Sequence, residues 1–468
     1  MRKWRYWLIV SAIAIVSIFV ACSNNVDLDS EVTQKPTPVG NELNIWWEQG
    51  YNLAEDEALR NIVARWQKQT GNKVKLSFFT NDELIAKTER AVQAGRTPDL
   101  MMSVKGDIML YPRLAWEDKL ENVADIIEPI KNFYSEKILQ GITYTNAKQG
   151  KRSYYGIPVH QNAILIFYWQ SILASIGLTP QDIPQDWNAF WQFWQQAQDR
   201  LRIERDRDIY GLGFTLAQDE RADDTRHFFE QILVAEDINL LNDKGELQID
   251  RPEVRQGIIE CLDWYARLYR QGYIPPDAVE WSNADNNRYL LNRLALMTPN
   301  ASLSIPATVI NDPDTYYNQL GIAELPNKPN GKSICYLLYI RQAVIFKNSS
   351  HKSLAKQFIS YFIQPQVAIE YFKATDGRHQ PVHKSVWQDP FWQNTKDPYI
   401  ATATKILTTG QTRLSPENYN PAYSQVLAEN VWGQALVRVT ADQVKPEQAA
   451  DEAIARIKDI FAEWNEDN

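Results

Sequence analysis

Between Leu43 and Val104 the chain alternates two kinds of segment, and this alternation restricts its fold more than any other feature. "LNIWW" (Leu43 to Trp47) has the spacing of a strand. Glu55, Asp56 and Glu57 then open a segment whose apolar residues, Ala58, Leu59, Ile62, Val63 and Trp66, recur at three- and four-residue intervals until Gly71. "KVKLSFF" (Lys73 to Phe79) predicts a second strand. Asn81 is the expected cap of a second helix, with Leu84, Ile85, Thr88 and Val92 on its buried face, and "PDLMMSV" (Pro98 to Val104) predicts a third strand. Strands joined through helices run parallel, because a parallel connection needs a long crossover. The fold class is therefore α/β, a sheet flanked by helices.

The chain has 468 residues, which is long for one core and points to two or three domain-sized units. Its formal charge of -9 argues against nucleic acid or an anionic membrane as partner, since either would need basic patches. An uncharged or cationic partner fits better. At the start, Arg2, Lys3 and Arg5 precede an apolar run from Trp7 to Ala21, too short to span a bilayer at the roughly 20 residues that requires. Residues 1–21 read as a signal peptide. "FVAC" resembles a bacterial lipoprotein cleavage box, with Phe19 where leucine is more usual, and makes Cys22 the expected lipidated N-terminus. Residues 22–40, polar and broken by Pro36 and Pro38, read as a tether. Cys261 and Cys335 remain, as a pair or as two free thiols.

Trp187, Phe190, Trp191 and Trp194 fall at helical spacing after Asp186 and read as core. Pro252 and Pro446 each start a further helix. His379 and His383 in "HQPVH" are separated by Pro381 and lack a companion His or Cys cluster, so no metal is expected, and no Gly-rich phosphate loop calls for a nucleotide cofactor. A secreted glycosidase would use a pair of carboxylates, but no catalytic motif accompanies the acidic residues.

The ordered set "AGRTPDLMM", "YYGIPVHQNAILIFYWQSILASIGL", "IPQDWNAFWQFWQQAQ", "NRLALMTPNAS", "FKNSSHKSLAKQFISYFIQPQVAIEYF" and "GRHQPV" resembles the extracellular solute-binding proteins of family 1, carbohydrate receptors of ABC importers related to maltose-binding protein. The resemblance runs from about residue 41 to the end. It implies a two-lobed fold with the ligand between the lobes, no enzymatic activity, a monomer, a sugar or glycoside as ligand, and a permease as partner at the outer face of the cytoplasmic membrane. A glycerophosphodiester or other charged solute is the alternative ligand. The expected lobes are residues 41–158 and 297–345 for the first, and 159–296 and 346–468 for the second, with Met297 to Ser302 leading back to the first.

Sugars present apolar C–H faces that stack on aromatic rings, and hydroxyls that pair with carboxylates, amides and guanidinium groups. By position at strand ends and crossings, the expected ligand residues are Trp46, Trp47 and Glu48, with one tryptophan facing the cleft and the other the core. Lys105 and Asp107 follow the third strand and are either ligand contacts or solvated turn charges. Asn162 stands at the first crossing, with the polar trio His160, Gln161 and Asn162 facing the cleft. Asn300 lies in "LMTPNAS", where the family often has a glycine and an aromatic, so Trp281 or Tyr423 is the expected replacement stacking surface. Arg378 and His379 belong to a loop that the family brings to the cleft.

Overall fold

The computed structural model describes residues 42–205, 208–219 and 222–466; Cys22 and its tether lie outside the described residues. Strands β1 (Glu42–Glu48), β2 (Lys73–Phe79) and β3 (Leu100–Ser103) are parallel, with β1 in the middle, as the alternation requires. The first helix, Leu53–Thr70, starts where the Asn52 side chain accepts the Glu55 N–H. It stops at Gly71, whose φ of 73° suits a residue without Cβ. The second helix, Asn81–Gln93, is capped by Thr80 rather than Asn81. Thr80 has an extended backbone, and its hydroxyl and N–H exchange hydrogen bonds with Glu83 in a reciprocal box.

A hairpin of β4 (Thr143–Asn146) and β5 (Lys151–Tyr154) precedes β6 (Ile157–Asn162), which joins the first sheet. Only Ala163 and Ile164 separate β6 from β7 (Leu165–Trp169), and β7 belongs to a second sheet with β8 (Tyr210–Leu212), β9 (Ala295–Asn300) and β10 (Leu320–Ala323). The long β11 (Cys335–Ile345) returns to the first sheet, antiparallel to both β3 and β6, and is joined there by β12 (Gln380–Pro381) and β13 (Gln411–Leu414). The strand orders are β12–β6–β11–β3–β1–β2, with β13 on β11, and β10–β7–β9–β8.

Three expected boundaries move. All of β6 belongs to the first sheet, so the first crossing falls at Ala163–Ile164 and not after residue 158, because the polar trio pairs with β11 and β12 before the chain leaves. The segment at Met297 does not lead back to the first sheet: β9 pairs with β7 and β8, β10 follows in the same sheet, and the return comes at β11. The residues after 346 do not all go to the second sheet either. Phe362 and Tyr371, from helices Lys352–Phe362 and Pro365–Ala374, pack edge-on against Trp47 of β1, so these helices cover a face of the first sheet. Helix Pro398–Thr409 packs on β10, while Val431–Thr440 and Pro446–Glu466 pack on Pro252–Arg270. Trp187, Phe190, Trp191 and Trp194 are core residues, as their spacing indicates. Cys261 and Cys335 are both free thiols. Among the described residues no helix is long and apolar enough to cross a membrane.

Candidate ligand site

A cavity of about 490 Å³ lies where the C-terminal end of β1, the end of β6 and the end of β9 converge. Its floor follows from strand alternation along β6. His160 and Asn162, two residues apart, point into it and bond to each other at 3.1 Å, while Gln161 points away and donates to the Pro381 carbonyl at 2.6 Å. The polar trio is therefore split between the cavity and a strand contact.

One wall comes from the first sheet. Glu48 ends β1 and accepts the Val104 N–H at 2.6 Å; burial, opposed by that bond, pushes its carboxyl up to about 7. Arg378 donates to Glu55 at 2.7 Å, and beside it His379 lies with its ring centroid 3.8 Å from that of His160. Tyr51 is the one aromatic ring besides the imidazoles among the described lining residues, and its hydroxyl reaches Thr308 Oγ1 at 3.2 Å across the mouth.

The opposite wall is acidic and amide-rich. Asp223 and Asp224 occupy the first turn of helix Asp223–Ala235, where the helix dipole favours carboxylates. Asp224 accepts from Asn286 Nδ2 at 2.9 Å, and burial pushes it up to about 7. Asn300 donates to Asn287 at 2.7 Å, and Asn287 donates to Ser304 at 3.1 Å, which holds these amides in fixed orientations at the cavity surface. His227, one helical turn beyond Asp223, packs on Tyr339 at 4.3 Å between centroids.

Burial is the main cause that holds His160, His227 and His379 well below the ordinary histidine range, with the neighbouring Arg341 adding to it for each. The three rings are neutral at physiological pH. His160 Nε2, both ring nitrogens of His227 and His379 Nδ1 are buried and find no hydrogen-bond partner among the described residues. Polar atoms in that condition are rare and costly unless something else in the site pairs with them.

Of the residues expected from sequence, Glu48, Asn162, Asn300, Arg378 and His379 line this cavity. The other expected residues are placed elsewhere. Trp46 and Trp47 both face cores, on opposite faces of the sheet: Trp46 packs on Phe79 under Lys87, and Trp47 under Phe362. Trp281 is buried against Tyr289, and Tyr423 is buried, donating to Glu230 at 2.6 Å and accepting from Trp432 at 2.9 Å. Lys105 and Asp107 are neither surface turn charges nor lining groups. Lys105 lies buried between Asp82 and Asp223, at 2.5 and 3.5 Å, tying the two walls together, and Asp107 holds Arg341 at 3.0 Å. Sequence reading missed Tyr51, Asp82, Asp223, Asp224, His227 and Arg341. The paired aspartates that open a helix in "DDTRH" were the one available signal.

Residues 61–402 match the family of bacterial extracellular solute-binding proteins. The chain belongs to this family. This solute-binding protein is 22% identical over 403 residues to the multiple sugar-binding protein of Streptococcus mutans, covering 80% of this chain and 88% of that one. Its fold matches an ABC transporter solute-binding protein of Thermotoga lettingae solved with α-D-tagatose, with a TM-score of 0.70 at 21% identity, covering 90% of this chain and 99% of that one. A sugar transporter protein of Arthrobacter chlorophenolicus solved with laminaribiose matches with a TM-score of 0.71 at 14% identity, covering 89% and 99%. The fold is thus the two-lobed one of the sugar-binding receptors, each lobe built on one of the two sheets. The family consists of exported binding proteins. Among the described residues no group of three or more His, Cys, Asp or Glu is arranged to hold a metal ion.

Proposed function

We propose that this solute-binding protein is the receptor of an ABC importer, capturing a sugar or glycoside outside the cytoplasmic membrane and delivering it to the permease without chemically changing it. The observation that carries this reading is the cavity itself. Side chains from both walls meet there, and its buried imidazole nitrogens can pair only with something that donates and accepts hydrogen bonds at close spacing, as sugar hydroxyls do. A neutral imidazole offers one donor and one acceptor, which matches a hydroxyl better than it matches an anion.

The volume of about 490 Å³ falls within the roughly 300–1,000 Å³ usual for small-molecule sites. Where most such sites are largely apolar, this one has a single phenol at its mouth, so hydrogen bonds rather than stacking set its selectivity. Ligand contacts to both lobes would favour the closed arrangement, a population shift that a permease could sense. Hinges at Ala163–Ile164 and in the β10–β11 connection suit that motion, with Cys22 lipidated to hold a monomeric receptor at the membrane. The anionic alternative, a glycerophosphodiester, is disfavoured because Arg378 and Arg341 are already engaged by Glu55 and Asp107.

The test is thermal unfolding of the protein against a panel of monosaccharides, disaccharides, sugar alcohols and glycerophosphodiesters. A ligand at a hundred times its dissociation constant adds about 2.7 kcal/mol to the folded state. A shift confined to carbohydrates supports the reading, and a shift only with a phosphodiester replaces the sugar.

A further inference from the structure

The cavity has more carboxyl groups than cations to pair with them, and the excess has a definite location. Around it, Arg341 is paired with Asp107, Arg378 with Glu55, Lys105 with Asp82, and Arg226 with Asp223. Each of these cations has a carboxylate of its own. Two lining carboxyls stand outside the pairs: Glu48 at the end of β1 and Asp224 in the first turn of the opposite helix. Glu48 accepts a backbone N–H and Asp224 a side-chain amide, and neither is in an ion pair among the described residues. They belong to opposite walls, so a ligand that spans the cavity meets both.

Taking the sugar-receptor reading as given, we infer that the ligand is a hydroxylated solute bearing a protonated primary or secondary amine, an amino sugar or amino polyol, with its ammonium held by Glu48 or Asp224. A half-buried carboxylate without a counter-charge is costly, and an ammonium from the ligand supplies that charge together with donor hydrogens. The unpartnered nitrogens of His160 and His227, whose side chains are 1% and 5% exposed, provide the independent sign that polar ligand atoms belong here, and they suit the hydroxyls of the same molecule. A quaternary ammonium is a poorer fit. It donates no hydrogen bond and is usually recognised by several aromatic faces, whereas Tyr51 is the only phenol or indole among the described lining residues. An anionic sugar would be repelled by both carboxyls.

A proton readout follows from the same geometry. Burial raises both carboxyls to about 7; at Glu48 the Val104 N–H, Arg378 and Arg341 oppose it and Asp107 adds to it, and at Asp224 the Asn286 amide and Arg341 oppose it. An arriving ammonium favours their ionised forms, so binding at pH 7 releases protons from the protein.

The deciding experiment is calorimetric titration of the protein at pH 7 with pairs that differ by an amine in place of a hydroxyl: D-glucosamine and D-glucose, D-galactosamine and D-galactose, the β-1,4-linked glucosamine disaccharide and cellobiose. Each titration is repeated in buffers of different protonation enthalpy to count protons. The expected result is that, in the pair that binds, the amine member binds at least about tenfold more tightly with net proton release by the protein, and that Asp224→Asn or Glu48→Gln removes this preference. Equal or tighter binding of the neutral member by the parent overturns the inference and leaves the sugar receptor standing. Binding of neither member of any pair overturns the inference and the sugar reading together. The parent comparison does not depend on how well either variant folds.

Discussion

Gly156 offers a sharp test of the packing that holds the crossing into β6, and the requirement there is space rather than backbone conformation. A Cβ at this position would lie 1.7 Å from Gln342 Oε1 and 2.8 Å from its Cδ, so the Gln342 side chain would have to leave. That side chain is 1% exposed, and its amide donates to the Tyr144 hydroxyl at 2.7 Å and the Gly141 carbonyl at 3.0 Å, joining β11 to the 136–141 helix and to β4. Losing two buried hydrogen bonds at about 1 kcal/mol each, with an acceptor left unpaired, makes Gly156→Ala cost about 3 kcal/mol. Urea unfolding followed by tryptophan fluorescence measures this. The companion variant Gln342→Ala should remove most of the added cost of the methyl group, because the remaining Cβ of residue 342 sits at an ordinary 3.4 Å. A Gly156→Ala protein within about 0.5 kcal/mol of the parent, or a full cost that persists in the Gln342→Ala background, would refute the reasoning.

Three further outcomes are expected. Tyr423→Phe removes the donor to Glu230 and the acceptor of Trp432 from a buried cluster, and should cost about 1–2 kcal/mol in urea unfolding while leaving sugar affinity in calorimetry within about twofold, because Tyr423 is core and not site. Stability should fall between pH 6.5 and 8 in a series of unfolding curves. The buried histidines, with folded values below their unfolded one, contribute fully above about 6.5 and lose that contribution only on acidification. Glu230 and Glu417, raised by burial to about 7 and about 8, cost stability as pH rises towards those values, and Glu417→Gln should flatten the slope. Of the thiols in the folded region, Cys335 should react with a disulfide reagent in the native state and Cys261 only on unfolding, since Cys261 is fully enclosed by helix packing.

The first strands and helices were legible because their signals are local: apolar periodicity, a capping residue and a glycine stop. The buried strand Leu165–Trp169 was legible for the same reason, an apolar run behind a polar trio, but the crossing falls after Asn162 and not after residue 158, since the pairing of β6 with the distant β11 leaves no local mark. The tryptophans misled because alternation along β1 sends Trp46 and Trp47 to opposite faces, and both faces are covered. The cover over Trp47 comes from Phe362 and Tyr371, far along the chain, and nothing near β1 announces it. β9 misled in a similar way, since an apolar strand such as "ALMTPN" has no local mark of the sheet it joins. Asp223, Asp224 and His227 acquire meaning only when a helix N-terminus is set opposite Glu48, and Arg341 only when β11 brings it to Asp107 beside the floor formed by β6. The aromatic content of the sequence is a property of its cores, and the polar cavity became visible once the two sheets were in place.

The most direct measurement of the central claim is calorimetric titration of the parent and of Asn162→Ala with the sugar that raises the unfolding midpoint most. Asn162 is 5% exposed, lines the cavity floor and positions His160 by a 3.1 Å hydrogen bond. The account predicts at least about tenfold weaker binding by the variant, consistent with loss of about 1.4 kcal/mol or more from a ligand hydrogen bond and a displaced imidazole, with an unfolding curve that remains cooperative. Undiminished affinity in a folded Asn162→Ala protein would contradict it and move the site elsewhere.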